Sequence, residues 1–291
     1  MDISAIQTSI KEELAIVASA VRETLVPDIL SARVAKRLTL SASRDSILPS
    51  VCLLTALAGE GVDETAISMA AGCQLFHLAV WTHDAVIDGV TVTGWPQDWM
   101  IINGDHIFST ALTLLSSGPG RAGDVASKMM SSMARGEIQY VRETPGGSPK
   151  DHIDMIANKY GSLFEACAEL GGLSGNLDDK TLEYVREYGT SLGMAYQIGD
   201  EILRLEELAS RRRVTLPVLY AKENDGGTNS ISKEKDAKRL TRWCETANGP
   251  KRATEDVVEF GRKALSALSS SGLRSKPMED LCLWVGQRIA R

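Results

Sequence analysis

Asp84 and Asp88 stand at spacing i, i+4 in an otherwise apolar run, Gln74-Leu-Phe-His-Leu-Ala-Val-Trp-Thr-His-Asp-Ala-Val-Ile-Asp88. In a helix that spacing puts both carboxylates on one face, one turn apart. Carboxylates inside an apolar helix are costly unless something cationic neutralises them. A matching run, Met194 to Arg204, carries Asp200 and Glu201. Two such helices face to face form a cradle for hard divalent cations, and Mg²⁺ held this way also takes phosphate oxygens. The plainer alternatives are a solvated pair for Asp84 and Asp88, and an exposed ion-pair cluster for Asp200, Glu201 and Arg204.

The elements that must position these groups read as helices. Val125, Met129 and Met133 recur every four residues, as do Val185, Gly189 and Gly193, the period of a helix face. Alternating apolar and polar β-branched runs are missing, so strands are not expected. Breakers fall at Gly59-Glu-Gly61, Gly94-Trp-Pro96, Gly118-Pro-Gly120, Pro145-Gly-Gly147, Gly171-Gly172 and Asp225-Gly-Gly227. The segments between them have the length of bundle helices. The expected fold is one all-α bundle over residues 1–291 with a central cavity, and residues 222–236, the most polar stretch, as a mobile loop. Trp95, Trp99, Met129, Met130 and Met133 read as core.

The 291 residues carry a net charge of −6 (32 basic against 38 acidic) and 43% hydrophobic residues. That balance argues for a sizeable core and against nucleic acid as the main partner. No run approaches ~18 apolar residues, and no signal sequence opens the chain, so neither a transmembrane span nor export is expected. The five cysteines (Cys52, Cys73, Cys167, Cys244, Cys282) are scattered with no C-x-x-C pair. They read as buried reduced thiols of a cytoplasmic protein.

From about residue 44 to 221 the chain resembles the trans-isoprenyl (polyprenyl) diphosphate synthases of the class I isoprenoid synthase fold. The first aspartate motif of that family stands here as Asp84-Ala-Val-Ile-Asp88, and the Gly-Asp that starts its next helix as Gly104-Asp105. Gly136-Glu-Ile-Gln139, Lys159-Tyr-Gly-Ser-Leu-Phe164 and Leu170-Gly-Gly172 follow in the family's order. The second motif reads Tyr196-Gln-Ile-Gly-Asp200-Glu-Ile-Leu-Arg204, with Thr215-Leu-Pro217 after it. The resemblance implies Mg²⁺ ligands at Asp84, Asp88 and Asp200, a diphosphate-gripping lysine at Lys159 and a further contact at Gln197. It also implies pairing into homodimers.

The departures lie mostly on the acceptor side. Family members bind isopentenyl diphosphate with Gly-Lys-x-x-Arg-Pro, which here is Arg44-Asp-Ser-Ile-Leu48-Pro49. Asp45 and Leu48 thus replace two cations, and a diphosphate without arginine or lysine is costly to recognise. His77 falls where the family often has a third ligand of that site; as a lone histidine it also fits a satisfied core position, as does His83. Val92-Thr93-Gly94 replaces an Arg-Arg-Gly, and the loop after the second motif shortens to Leu205–Arg212. Arg204 takes the place of the family's last aspartate and either pairs with Asp200 or touches diphosphate. Arg213, in the basic turn Arg211-Arg-Arg213, is a candidate diphosphate contact on charge alone.

Ionising an allylic carbon–oxygen bond needs cations to neutralise the leaving diphosphate and an apolar, aromatic pocket to keep the carbocation from water. Phe76, Trp81, Phe164 and Tyr196 are the expected lining. Ala79 and Val80, small residues where the family places bulky ones that limit product length, imply room for a prenyl chain of C20 or longer. With the acceptor site altered, the first reading is Mg²⁺-dependent ionisation of an allylic prenyl diphosphate, followed by cyclisation, elimination or transfer to another acceptor. The second is chain elongation with a rebuilt acceptor site using Arg33, Lys36, Arg37 or Arg44. The third is a weakly active partner subunit in a heteromer with an active synthase.

Overall fold

The computed structural model describes residues 2–25, 46–89, 96–142, 147–226 and 236–289. Every regular element among them is helical. They are α1 (Ile3–Ile6), α2 (Lys11–Leu25), α3 (Ile47–Ala58), α4 (Glu64–Ile87), α5 (Gln97–Ser116), α6 (Ala122–Arg142) and α7 (Pro149–Ile156). There follow α8 (Ser162–Ser174), α9 (Asp179–Leu203), α10 (Leu205–Ser210), α11 (Leu216–Asn224), α12 (Ala237–Thr246), α13 (Gly249–Ser271) and α14 (Lys276–Arg288). A 3-10 turn, Gln7–Ile10, joins α1 to α2, and a π-helical turn, Ala157–Gly161, joins α7 to α8.

Local chemistry sets the starts of the long helices. Asp63 caps α4 by accepting from the Ala66 amide, Asp178 caps α9 through Thr181, and Ser148 caps α7 with Pro149 in its first turn. α4 is apolar on nearly all sides because it is buried, packing chiefly on α5 and also on α3 and α8. α9 lies between α8 and α13. α4 and α9 each bring aspartates to the same cavity, as their spacing requires.

Small residues bring these helices together. A Cβ on Gly171 would lie 2.1 Å from the Cys52 carbonyl oxygen, one on Gly189 would lie 2.5 Å from that of Phe164, and one on Gly193 would lie 2.6 Å from that of Tyr160. Gly171-Gly172 therefore does not break the chain but sits inside α8, where it admits the backbone of α3. Gly104 likewise lies within α5, against the His83 ring, and starts no helix. Replacing Gly171 by Ala forces two helix backbones apart. It should lower stability by about 2 kcal/mol or more, read as a fall in thermal midpoint, whereas the same change at solvent-facing Gly286, with open space around it, should not.

Two further expectations change. Trp99 is 48% exposed on α5 because the described residues leave its face of the helix uncovered, while Met129 and Met133 are buried as expected. Of the polar stretch 222–236, Lys222–Asn224 close α11, and 227–235 lie outside the described residues. So do Trp95, Val92-Thr93-Gly94, Arg33, Lys36, Arg37, Arg44 and Asp45. All five cysteines are buried and unbridged. No helix among the described residues is long and apolar enough to cross a membrane.

Candidate active site

A cavity of about 540 Å³ opens between the C-terminal ends of α4 and α9, walled on the other sides by α6, the π-helical turn and the segment after α10. Its lining includes Asp84, Asp88, Asp200 and Glu201 against Lys159, Arg204, Arg211 and Arg213. Four acidic and four basic groups leave it balanced in charge. Such a surface suits an anion that arrives with its own cations better than it suits either alone.

Lys159 is the anchor of the site. It is 3% exposed, and its Nζ donates to Asp84 Oδ2 at 2.9 Å and forms an ion pair with Glu137 Oε1 at 2.6 Å. Burial works to lower its pKa, but the two carboxylates outweigh this and hold it above the ordinary lysine value. The π-helical turn that carries it follows a known association of such bulges with functional sites. Gly136 makes the turn possible: a Cβ there would lie 3.0 Å from the Lys159 amide nitrogen. Gln139, from the same motif, accepts from Asn158 Nδ2 at 2.9 Å and steadies the turn. Tyr140, one residue on, presents its ring to Lys159 and to Arg213, each 4.5 Å from the centroid.

The other aspartates are also paired. Asp88 forms an ion pair with Arg213. Asp200 Oδ2 accepts from Arg204 Nη1 at 2.9 Å, and Arg288 Nη2 lies 3.7 Å from Asp200 Oδ1. Arg213 is held below the ordinary arginine value by burial, whereas Arg204 is raised, chiefly by its hydrogen bond to Glu207. Among the described residues, no three acidic, histidine or cysteine side chains converge closely enough to hold a metal by themselves. Asp84, Asp88 and Asp200 line one cavity, but each is drawn toward its own cation rather than toward a shared point.

Glu201, at the position after Asp200, turns inward. It is buried, lies 2.9 Å from His152 Nε2, and accepts from the Leu216 amide at 2.7 Å and from Gln197 Nε2 at 3.4 Å. It ties α7 and the start of α11 to α9, and Gln197 is spent partly on this bond while still lining the cavity.

The remaining expected substrate contacts lie elsewhere. Phe76 is buried against Phe108, and Phe164 against Tyr196, which stacks in turn on Trp284. Ala79 is in the core and Val80 is packed against it. None of these, nor His77, lines the cavity, whereas Trp81 does. Burial lowers His77 to a pKa of about 4, so at neutral pH it offers no positive charge to a diphosphate. Leu48 is buried in α3, so its position offers none either.

Tyr140 and Arg288 were not marked by the sequence reading, and Glu137 entered it only within the Gly136-Glu-Ile-Gln139 motif, with no role of its own. Glu137 and Tyr140 lie one helical turn apart, a spacing that in hindsight puts both on the Lys159 face. Arg288 has no local signal. Burial raises Glu137 to about 7, with Lys159 pulling it down and Asp84 pushing it up. A carboxyl whose value is about 7 folded and 4.5 unfolded keeps a proton in the folded chain that the unfolded chain has lost. Stability should therefore fall as pH rises from about 4.5 to about 7 and level off above. Thermal midpoints across that range should show the slope in the wild type and a flatter profile in Glu137→Gln.

Comparison with known proteins places the chain in a family. The polyprenyl synthetase family model matches residues 43–213, a span that contains α4, the Lys159 turn and α9. Nonaprenyl diphosphate synthase of Mycobacterium tuberculosis is 26% identical over 82% of this chain and 73% of its own length. Heptaprenyl diphosphate synthase component 2 of Geobacillus stearothermophilus is 25% identical over 86% of this chain and 87% of its own. The crystal structure of a polyprenyl synthase from Caulobacter crescentus, complexed with calcium and isoprenyl diphosphate, superposes with a TM-score of 0.87 at 19% identity, covering 100% of this chain and 98% of that one. The described helices thus have the all-α isoprenoid synthase architecture, and with 171 consecutive residues matched the chain belongs to the polyprenyl synthetase family.

Proposed function

We propose that the protein is an Mg²⁺-dependent prenyltransferase that lengthens an allylic prenyl diphosphate with isopentenyl diphosphate. This reverses the order set by the altered acceptor motif, because the relatives above are named as prenyl diphosphate synthases. The observation that carries the reading is Lys159 held between Asp84 and Glu137 on the wall of a cavity that also receives Asp88 and Asp200.

The donor set fits Mg²⁺: the hard carboxylate oxygens of the α4 wall are too few for an all-protein cage and would leave ligand places for water and diphosphate oxygens. Asp84 and Asp88 would hold it on the α4 wall. Bound there, Mg²⁺ supplies Lewis-acid neutralisation of the leaving group. Lys159 stays in place when Asp84 turns to the metal, because Glu137 still holds it. Lys159, Arg204 and Arg213 then offer charge-assisted donors to the diphosphate as its carbon–oxygen bond breaks. Tyr140, Tyr160 and Trp81 bring aromatic faces, and Met155, Leu208 and Val214 apolar surface, to the same cavity, where a carbocation needs both.

A second reading rests on Leu48, which is buried where the family's acceptor arginine would stand. It has the protein ionise the allylic diphosphate without adding an isopentenyl unit. Diphosphate release from farnesyl diphosphate in Mg²⁺ separates the two. Release that requires isopentenyl diphosphate supports elongation; equal release without it supports ionisation alone.

The partner is a second copy of the chain. Trp99, Ile101, Ile102 and Leu112 on α5 and Ile138 and Val141 on α6 are all more than a third exposed, and large apolar side chains left open on two helices that pack together suit a partner surface. Two relatives are named as component 2 of heptaprenyl diphosphate synthase, which makes a different chain the other candidate. Light scattering on the purified protein should give twice the chain mass, and Ile102→Glu with Val141→Glu should return it to one chain. A wild type that stays single until a second synthase chain is added would favour the heteromer.

A further inference from the structure

The α9 wall differs from the α4 wall in what occupies its aspartate. Both oxygens of Asp200 face guanidiniums: Arg204 Nη1 at 2.9 Å and Arg288 Nη2 at 3.7 Å. Arg204 is itself fixed, donating from Nε and Nη2 to the two oxygens of Glu207 at 3.0 and 3.1 Å. Glu207 is shared with Arg211 at 2.8 Å. Arg288 reaches the wall from α14, nearly at the end of the chain, and lies over the rings of Tyr196 at 4.4 Å and Trp284 at 5.0 Å. Stacking of this kind orients a guanidinium and limits its freedom to leave.

A divalent ion brought to Asp200 would meet two fixed positive charges at the same carboxylate. Asp84 and Asp88 each face one, and Lys159 retains a second carboxylate when Asp84 is withdrawn. The α9 wall is therefore the harder place to seat a metal and the readier place to seat an anion. Arg204 lines the cavity, is 43% exposed at its side chain, and has the planar fork that matches diphosphate oxygens.

We propose that on this wall arginine takes the part of metal: Arg204 binds the diphosphate directly, Arg288 holds Asp200 as a salt-bridge acceptor, and divalent ions are recruited through Asp84 and Asp88 only. Arg204 is a binding residue in this scheme and Arg288 a positioning residue. The scheme rests on the diphosphate reading above and deepens it.

The test needs no turnover. Inorganic pyrophosphate is titrated into the full chain with and without Mn²⁺, and bound Mn²⁺ is counted by electron paramagnetic resonance. The wild type should bind pyrophosphate measurably in chelator, and Arg204→Ala should weaken that metal-free binding about tenfold. Arg204→Asp should bind at least one more Mn²⁺ per pyrophosphate than the wild type. Arg288→Gln should also raise the count, because it frees Asp200 without touching the anion. Equal Mn²⁺ counts in all four proteins, with metal-free affinity unchanged by Arg204→Ala, would overturn the scheme and leave the functional reading standing. Absence of pyrophosphate binding to the wild type even with Mn²⁺ would instead overturn the functional reading, and this scheme with it.

Discussion

Asp84→Asn should lower kcat/KM for an allylic diphosphate with isopentenyl diphosphate by roughly a hundred- to a thousandfold. The change is nearly isosteric and removes one negative charge from the α4 wall. On the proposed reading it acts on the charge that would recruit the metal, and on the carboxylate that would turn from Lys159 to that metal when diphosphate enters. The fold should tolerate it, since Lys159 keeps Glu137 at 2.6 Å and the buried ammonium is never left alone. Steady-state rates at saturating Mg²⁺, with a thermal melt on the same sample, check both halves. A rate within about threefold of wild type would remove Asp84 from the chemistry.

Lys159→Met should act on stability as well as on rate. The side chain is almost fully buried between two carboxylates, and removing one member of a buried ion cluster costs about 3 kcal/mol because the remaining charges stay buried and unpaired. For a chain of this size that corresponds to a fall in thermal midpoint of about 5 °C. Adding Glu137→Gln should restore part of the midpoint, since it removes a buried carboxyl that has lost its cation, but should restore none of the rate, since the cation proposed to face the diphosphate is still missing. Differential scanning fluorimetry and initial rates on the single and double variants would show the split. Rate and midpoint recovering together would mean that Lys159 acts only as a structural tie.

Spacing along one helix was readable in advance, and pairing between helices was not. Asp84 with Asp88 and the Met194–Arg204 run were legible because a period of 3.6 residues fixes which side chains share a face. The order of motifs placed Lys159 and Gln197. What those groups touch depends on packing between segments far apart in sequence: Lys159 on Asp84, Arg213 on Asp88, Arg288 on Asp200. No local pattern encodes those partners. Gly171-Gly172 and Gly104 misled for a related reason. Glycine marks a turn when its own backbone needs freedom, and a close helix crossing when its neighbour needs room, and only the packed structure distinguishes them. Trp99 was misplaced because hydrophobicity does not say whether the covering surface belongs to the same chain. Ala79 was read as pocket lining from the family resemblance and Phe164 from the helix it stands on, but their side chains turn into the core, while Tyr140 from α6 takes the cavity wall.

The mass of the product formed from farnesyl diphosphate, isopentenyl diphosphate and Mg²⁺ bears most directly on the functional reading. Prenyl diphosphates heavier than the starting material by whole isopentenyl units, formed by the wild type and lost in Asp84→Asn, are the expected result. A hydrocarbon or alcohol of unchanged carbon number, or products that persist undiminished in Asp84→Asn, would contradict it.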